Sequence, residues 1–143
     1  TGDARSARLR TPPAMASLLA TLPLAACHDG RPVDAAARLA GKVVVIYFSA
    51  SWCGPCRRFT PALRLWYDML KAAGEPLEIV FVSRDRTPED TAKYAKEHMG
   101  PWLMLPHGHP ASDELGRMLG VRGIPSATVV DAMMQPQYSL DVG

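Results

Sequence analysis

Ser51-Trp52-Cys53-Gly54-Pro55-Cys56-Arg57 joins two segments of different period, and that change of period decides the fold. Before it, Lys42 to Phe48 is a block of β-branched and aromatic residues bounded by Gly41, the pattern of a strand buried on both faces. After it, Phe59, Leu63, Trp66, Tyr67 and Leu70 recur at helical spacing up to Gly74, which predicts an amphipathic helix with a glycine stop. The two cysteines therefore lie at a strand-to-helix junction, with Cys53 at or before the first helical turn.

That placement has a chemical meaning, because a thiol attacks as thiolate and the first amides of a helix lack intrahelical partners. The helix dipole contributes roughly 0.3 to 1 kcal/mol for an anion there, and one pKa unit corresponds to about 1.4 kcal/mol. The dipole alone gives less than one unit; amide hydrogen bonds and an S–H donated by Cys56 must supply the remainder. Two intervening residues keep both sulfurs within the short span a disulfide needs. Gly54 allows the turn and Pro55 suits an early helical position.

The motif WCGPC resembles the thioredoxin active site, and the wider run YFSASWCGPCRRFTP resembles the tryparedoxin and nucleoredoxin branch of thioredoxin-like proteins. IVFVSRDRTPED, PWLMLP and VRGIPSATVVD extend the resemblance over roughly Leu24 to Asp131. It implies an α/β, thioredoxin-like fold: a central mixed β-sheet flanked by helices. Only 18 residues follow Pro125, enough for a hairpin but not for the family's terminal helix, so that helix is expected to be missing, with exposed apolar surface on the last two strands. The resemblance also implies roles. Cys53 attacks a substrate disulfide and Cys56 resolves the adduct. Trp52 covers the pair, and Gly54 and Pro55 join it in substrate binding. Gly123-Ile124-Pro125 matches the family's cis-proline loop, where the backbone of Ile124, with Pro125, pairs with the substrate.

The chain departs from the family in two informative places. Six residues before Cys53, where thioredoxin carries a buried aspartate, stands Tyr47. A phenol of pKa about 10 is about a thousandfold under-ionised at pH 7, so the proton acceptor for Cys56 is left to water, with Asp85 a weak candidate. Where tryparedoxins present Trp-Asp-Glu, this chain has Arg84-Asp85-Arg86. Cations there repel a polyamine-bearing thiol, and trypanothione as electron donor does not follow. Arg57 and Arg58 either favour a thiolate or steer an anionic partner, or are simply solvated.

Composition fits one such domain: 143 residues, 48% hydrophobic and 21% charged, can bury one core. A formal charge of +2 gives no case for nucleic acid. Three cysteines make no disulfide framework, and no second Cys-x-x-Cys or close histidine pair completes a zinc site. No metal or organic cofactor is expected, and a reducing, cytoplasmic location is.

Residues 1–14, with three arginines and adjacent prolines, read as a disordered extension, leaving 15–143 as the thioredoxin-like domain. Met15 to Ala26 is apolar but too short to span a bilayer. With the preceding arginines it imitates an organellar or export signal, and Leu24-Ala25-Ala26-Cys27 resembles a bacterial lipoprotein cleavage box. The plainer expectation is a helix from Ala16 to Leu22, then a hairpin turning at Asp29-Gly30, with Cys27 a strand residue. Further helices are expected over Asp34–Ala40, from Thr87 to about His98, and from a cap near Ser112 to Gly120, with strands over Leu77–Ser83 and Ser126–Asp131 and a return over Gln135–Asp141. Trp102 reads as core and His107 and His109 as solvated loop residues.

The function expected is reduction of protein disulfides, peroxidases among them, by thiol–disulfide exchange, with an external reductase or low-molecular-weight thiol restoring the dithiol. The alternatives are an exported, lipid-anchored thiol reductase, a nucleoredoxin-like module that binds a signalling partner, and metal binding by the dithiol.

Overall fold

A computed structural model of the chain describes residues 13–130 and 136–139. Along the chain run α1 (Pro13–Ala20), β1 (Ala25–Ala26), α2 (Ala35–Leu39), β2 (Val43–Ser49), α3 (Gly54–Ala72), β3 (Leu77–Ser83), α4 (Pro88–His98), β4 (Leu103–Met104), α5 (Ala111–Met118), β5 (Ser126–Val130) and β6 (Pro136–Ser139). The strands form one mixed sheet in the order β1-β4-β3-β2-β5-β6. β2 is parallel to β3 and antiparallel to β5.

Register explains where a site can form. Val43 pairs with Leu77 and Ser49 with Ser83, so β2 and β3 end level. Phe48 pairs with Ser126, which starts β5 at the same edge. Three connections therefore meet there: the cysteine loop after β2, the Arg84–Thr87 segment after β3, and the Ile124–Pro125 segment before β5.

Alternation along the central strands divides the core in two. Val44, Ile46, Phe48, Val80 and Val82 pack with Leu19, Leu24, Leu115 and Leu119 on one face. Val45, Tyr47, Ile79 and Phe81 pack with Leu63 and Tyr67 of α3 and Tyr94 and Ala95 of α4 on the other. Each large apolar side chain so buried contributes roughly 1.5 to 3 kcal/mol. Helix ends follow local chemistry: Asp34 caps α2 through the Ala37 N–H (3.2 Å), and Thr87 caps α4 through the Asp90 N–H (3.0 Å). Gly74, at φ 81°, follows α3 in the left-handed conformation that favours glycine.

Several expectations need correction. The first helix starts at Pro13 and ends at Ala20, three residues ahead of the predicted start; a proline at the first helical position is itself a start signal. Of the disordered extension expected over residues 1–14, residues 1–12 lie outside the described residues and residues 13 and 14 belong to α1 instead. Cys27 is a turn residue just past β1, although its N–H still bonds the Trp102 carbonyl (2.9 Å). Ser112 does not cap α5, whose cap residue is Pro110; the His109 ring nitrogen Nδ1 takes the Ala111 N–H instead (3.0 Å). In β5, Ala127 to Val130 are buried, because β2 and β6 flank the strand and both core clusters claim its side chains. The large exposed apolar residues include Leu65 and Met69, each 63% exposed on α3, rather than residues of β5; side chains of β6 lie outside the described residues. Among the described residues no helix follows β5.

Candidate active site

Cys53 is the N-cap of α3, at φ −94° and ψ 109°, and its Sγ accepts the Cys56 N–H at 3.2 Å. Pro55 occupies an opening position of the helix and offers no N–H, so the Cys56 amide is the donor directed to the sulfur. The two cysteines are joined as a disulfide, with Cα atoms 5.2 Å apart. Cys53 retains 6% exposure and Cys56 none, so only one sulfur of the pair is presented outward.

The segment before β5 closes over this sulfur. The Ile124–Pro125 peptide is cis, and the Ile124 carbonyl oxygen lies 3.8 Å from Cys53 Sγ. Ile124 packs on a small cluster of Ala50, Cys53 and Cys56. Trp52 stands 56% exposed beside it, its indole N–H donating to the Arg84 carbonyl (3.1 Å) and its ring 6.0 Å from the Arg86 guanidinium carbon. The structure thus brings Trp52, Cys53, Gly54, Pro55, Cys56, Ile124 and Pro125 to one edge of the sheet, Gly54 and Pro55 both exposed.

Tyr47 is buried beneath this layer, and burial pushes its pKa up to about 12. It is therefore no proton acceptor near neutrality. Its role is in a chain of hydroxyls. Thr60 donates its single proton to the Cys56 carbonyl (2.9 Å), so the Tyr47 hydroxyl, 2.7 Å away, donates to Thr60. The Tyr94 hydroxyl lies 3.2 Å from Thr60 and 2.8 Å from Ser49. Buried polar groups in this position cost stability unless each finds a partner; here they satisfy one another under the first turn of α3.

Asp85, named above as a weak candidate base, is engaged elsewhere. Its Oδ1 accepts the Ser51 N–H (2.9 Å) and the Ser51 hydroxyl, and Oδ2 accepts the Ser83 hydroxyl (3.2 Å). Its backbone carbonyl receives His107 Nε2 at 2.9 Å, which places that ring's proton on Nε2. Asp85 thereby ties the cysteine loop to β3 and to the loop before α5. His107 and His109 are thus hydrogen-bonded residues, a correction to their reading as solvated. Arg57 is also held, with Nη1 donating to the Ser51 carbonyl (3.3 Å) and Nη2 beside His98 Nε2 (3.4 Å). Sequence periodicity does not carry the links from Asp85 to Ser51 and His107 or those of Arg57, because the partners lie 6 to 41 residues apart.

The third cysteine is sequestered. Cys27 is 3% exposed and its S–H donates to the Leu103 carbonyl (3.4 Å). Burial, aided by the charge of Glu78, pushes its thiol far above the ordinary range. Among the described residues no group of three or more His, Cys, Asp or Glu could hold a metal ion, and no helix is long and apolar enough to cross a membrane.

The chain is similar to known proteins in sequence and in fold. A family model described as "Thioredoxin-like" matches residues 41–135. Probable nucleoredoxin 1 of Arabidopsis thaliana is 44% identical over 87 residues, which are 61% of this chain and 15% of that protein. Tryparedoxin of Trypanosoma brucei brucei is 41% identical over 95 residues, 66% of this chain and 64% of its own. Thioredoxin from Wuchereria bancrofti has a solved structure that superposes with TM-score 0.73 at 36% identity, covering 87% of this chain and 83% of that one. The chain thus spans a small part of the nucleoredoxin and just under two thirds of the tryparedoxin that it matches.

Proposed function

This chain belongs to the thioredoxin-like family, with tryparedoxins and nucleoredoxins among its relatives, and we propose that it acts as a protein disulfide reductase. The observation that carries the reading is the cysteine pair at the start of α3, with Cys53 capping the helix and slightly exposed while Cys56 is fully buried. In the reduced protein the Cys53 thiolate attacks one sulfur of a substrate disulfide, and the other substrate sulfur leaves as thiolate and takes a proton from solvent. Cys56, deprotonated, then attacks Cys53 Sγ. The second substrate thiolate departs and the Cys53–Cys56 disulfide remains, two electrons having passed to substrate.

Trp52, Gly54, Pro55, Ile124 and Pro125 form the docking surface in this proposal. The exposure of Trp52 and the closeness of the Ile124 carbonyl to Cys53 support it. With Asp85 committed to Ser51 and Ser83 and Tyr47 kept neutral, water receives the Cys56 proton. The oxidised pair is restored by an external reductase or low-molecular-weight thiol. Arg84 and Arg86 argue against a polyamine-bearing thiol such as trypanothione, since like charges would meet at the dithiol. A reducing compartment, the cytoplasm, suits a chain whose third cysteine is a buried thiol.

Reduction of insulin, followed by turbidity, tests the proposal when run in parallel with a thioredoxin reductase, glutathione and trypanothione as donors. Turnover with at least one of the first two, lost in Cys53→Ser, is the expected result. Insulin left intact by the chemically reduced protein defeats the proposal.

A further inference from the structure

Two grooves flank the start of α3, and their charge differs. One is lined by Ser51, Arg57, Asp90, Lys93, Glu97 and His98, along with Tyr94, and carries both signs. The other, open and of about 280 Å³, is lined by Trp52, Arg84, Val121, Arg122, Gly123 and Ile124. Its lining includes two cations and no acid. It also contains the indole beside the dithiol and the residue whose carbonyl faces Cys53.

The two arginines are held differently. Arg84 is fixed: its guanidinium carbon lies 4.8 Å from the Phe48 ring centroid, and Nη1 donates to Ser112 Oγ at 2.7 Å and to Asp113 Oδ1 at 3.4 Å. Gly116 leaves room for it, since a Cβ there would meet Arg84 Nη2 at 2.8 Å. Asp113 is the acid paired with Arg84, and with its side chain 85% exposed it offsets little of the charge. Arg122 is exposed and makes no ion pair among the described residues. Arg86, over the Trp52 ring, adds a third cation at the rim. An arginine already in position loses less side-chain freedom when it grips a carboxylate, and its fork matches carboxylate geometry.

We propose that this groove selects disulfides flanked by carboxylates, with Arg84 and Arg122 binding the carboxylate while Ile124 aligns the substrate sulfur beside Cys53. The proposal rests on the disulfide-reductase reading and names its substrate class. The carboxylates come from an acidic protein segment or from a small peptide disulfide such as glutathione disulfide. Exposed charge pairs are individually weak and screened by salt, so each arginine supplies about three- to fivefold in kcat/KM, mainly through KM.

The test uses three self-quenched peptide disulfides that differ only in flanking residues, acidic, amide or lysine, with glutathione disulfide as a fourth substrate. Each is reduced by the wild-type chain, Arg84→Gln, Arg122→Gln and the exposed control Arg64→Gln, at low and high salt. The expected result is an acidic-over-basic preference of about tenfold at low salt, shrinking with salt, reduced in Arg122→Gln and kept in Arg64→Gln. The amide peptide should react equally with the wild-type chain and with Arg64→Gln. Glutathione disulfide matching the acidic peptide supports the small-molecule source; a preference confined to the peptides supports the protein segment. Equal rates across the three peptides, or a preference undiminished in Arg122→Gln, overturns the proposal while the reductase reading stands. Failure on the amide peptide as well defeats both. Should Arg84→Gln unfold, Arg122→Gln on its exposed loop decides the matter.

Discussion

Cys27 and Cys53 carry the same functional group within one small fold, and their surroundings make opposite use of it. Cys27 faces a carbonyl, Leu103 O, to which it gives its proton; Cys53 faces an N–H, that of Cys56, from which it receives one. Burial and a nearby carboxylate keep the first neutral. A helix start, by contrast, stabilises negative charge on the second. What separates the nucleophile from the inert thiol is a backbone N–H directed at the sulfur, closer than the Ile124 carbonyl at 3.8 Å.

The sharpest way to break that contrast is to exchange the thiols for hydroxyls one at a time. Cys53→Ser should lower insulin reduction by about a thousandfold or more, since alkoxide chemistry cannot replace thiol–disulfide exchange, whereas Cys27→Ser should stay within about twofold of wild type. Comparable losses in both would end the distinction. Cys56→Ser separates the roles further. It should accumulate covalent adducts through Cys53 that peptide mass mapping assigns to that residue and never to Cys27; a reversible, non-covalent complex would favour a binding module instead.

The buried side of the comparison is probed through packing. Gly100 lies against Trp102, whose six-membered ring a Cβ would strike, and the Trp102 carbonyl holds the Cys27 N–H. Gly100→Ala should cost about 1 to 3 kcal/mol in urea unfolding while leaving the activity of the remaining folded protein intact. An unchanged midpoint would mean that Trp102 is free to shift.

A gentler effect concerns pH. Burial favours the neutral Cys27 thiol in the folded chain, so above the unfolded thiol's pKa of roughly 8.5 unfolding releases a proton. Stability from this group is complete below that pH and declines as pH rises, by about 1.4 kcal/mol per unit. Tyr47 and Tyr67, both raised by burial, act with the same sign from about pH 10. Cys27→Ala should flatten the decline between pH 9 and 10, measured by urea titrations at fixed ionic strength; an unaltered slope would show that the thiol is not held neutral.

The sequence made visible whatever depends on neighbours along the chain. β3 over Leu77–Ser83 and α4 up to His98 match their expected bounds, because a β-branched run and the Thr87-Pro88 cap are local signals. The cysteine pair at the helix start was legible for the same reason. Partners from separate strands were not. Asp85 reads as a charge between two arginines, yet its work is to hold Ser51, 34 residues back; a short acid two residues past the end of a strand was the available signal. Gly116 inside a helix marked the passage of Arg84, and Pro13 marked the start of α1. The expected bareness of β5 failed because register, which sets its neighbours, is a property of the assembled sheet.

One atom in this fold serves two masters: Cys53 Sγ is both the sulfur proposed to react and the plug of a nineteen-residue helix. Reduction turns that plug from a weak acceptor into an anion, so the Cys56 amide proton should move downfield and exchange more slowly when the protein gains its two electrons. The opening of α3 becomes an internal gauge of oxidation state, readable in an NMR spectrum with no substrate or dye present.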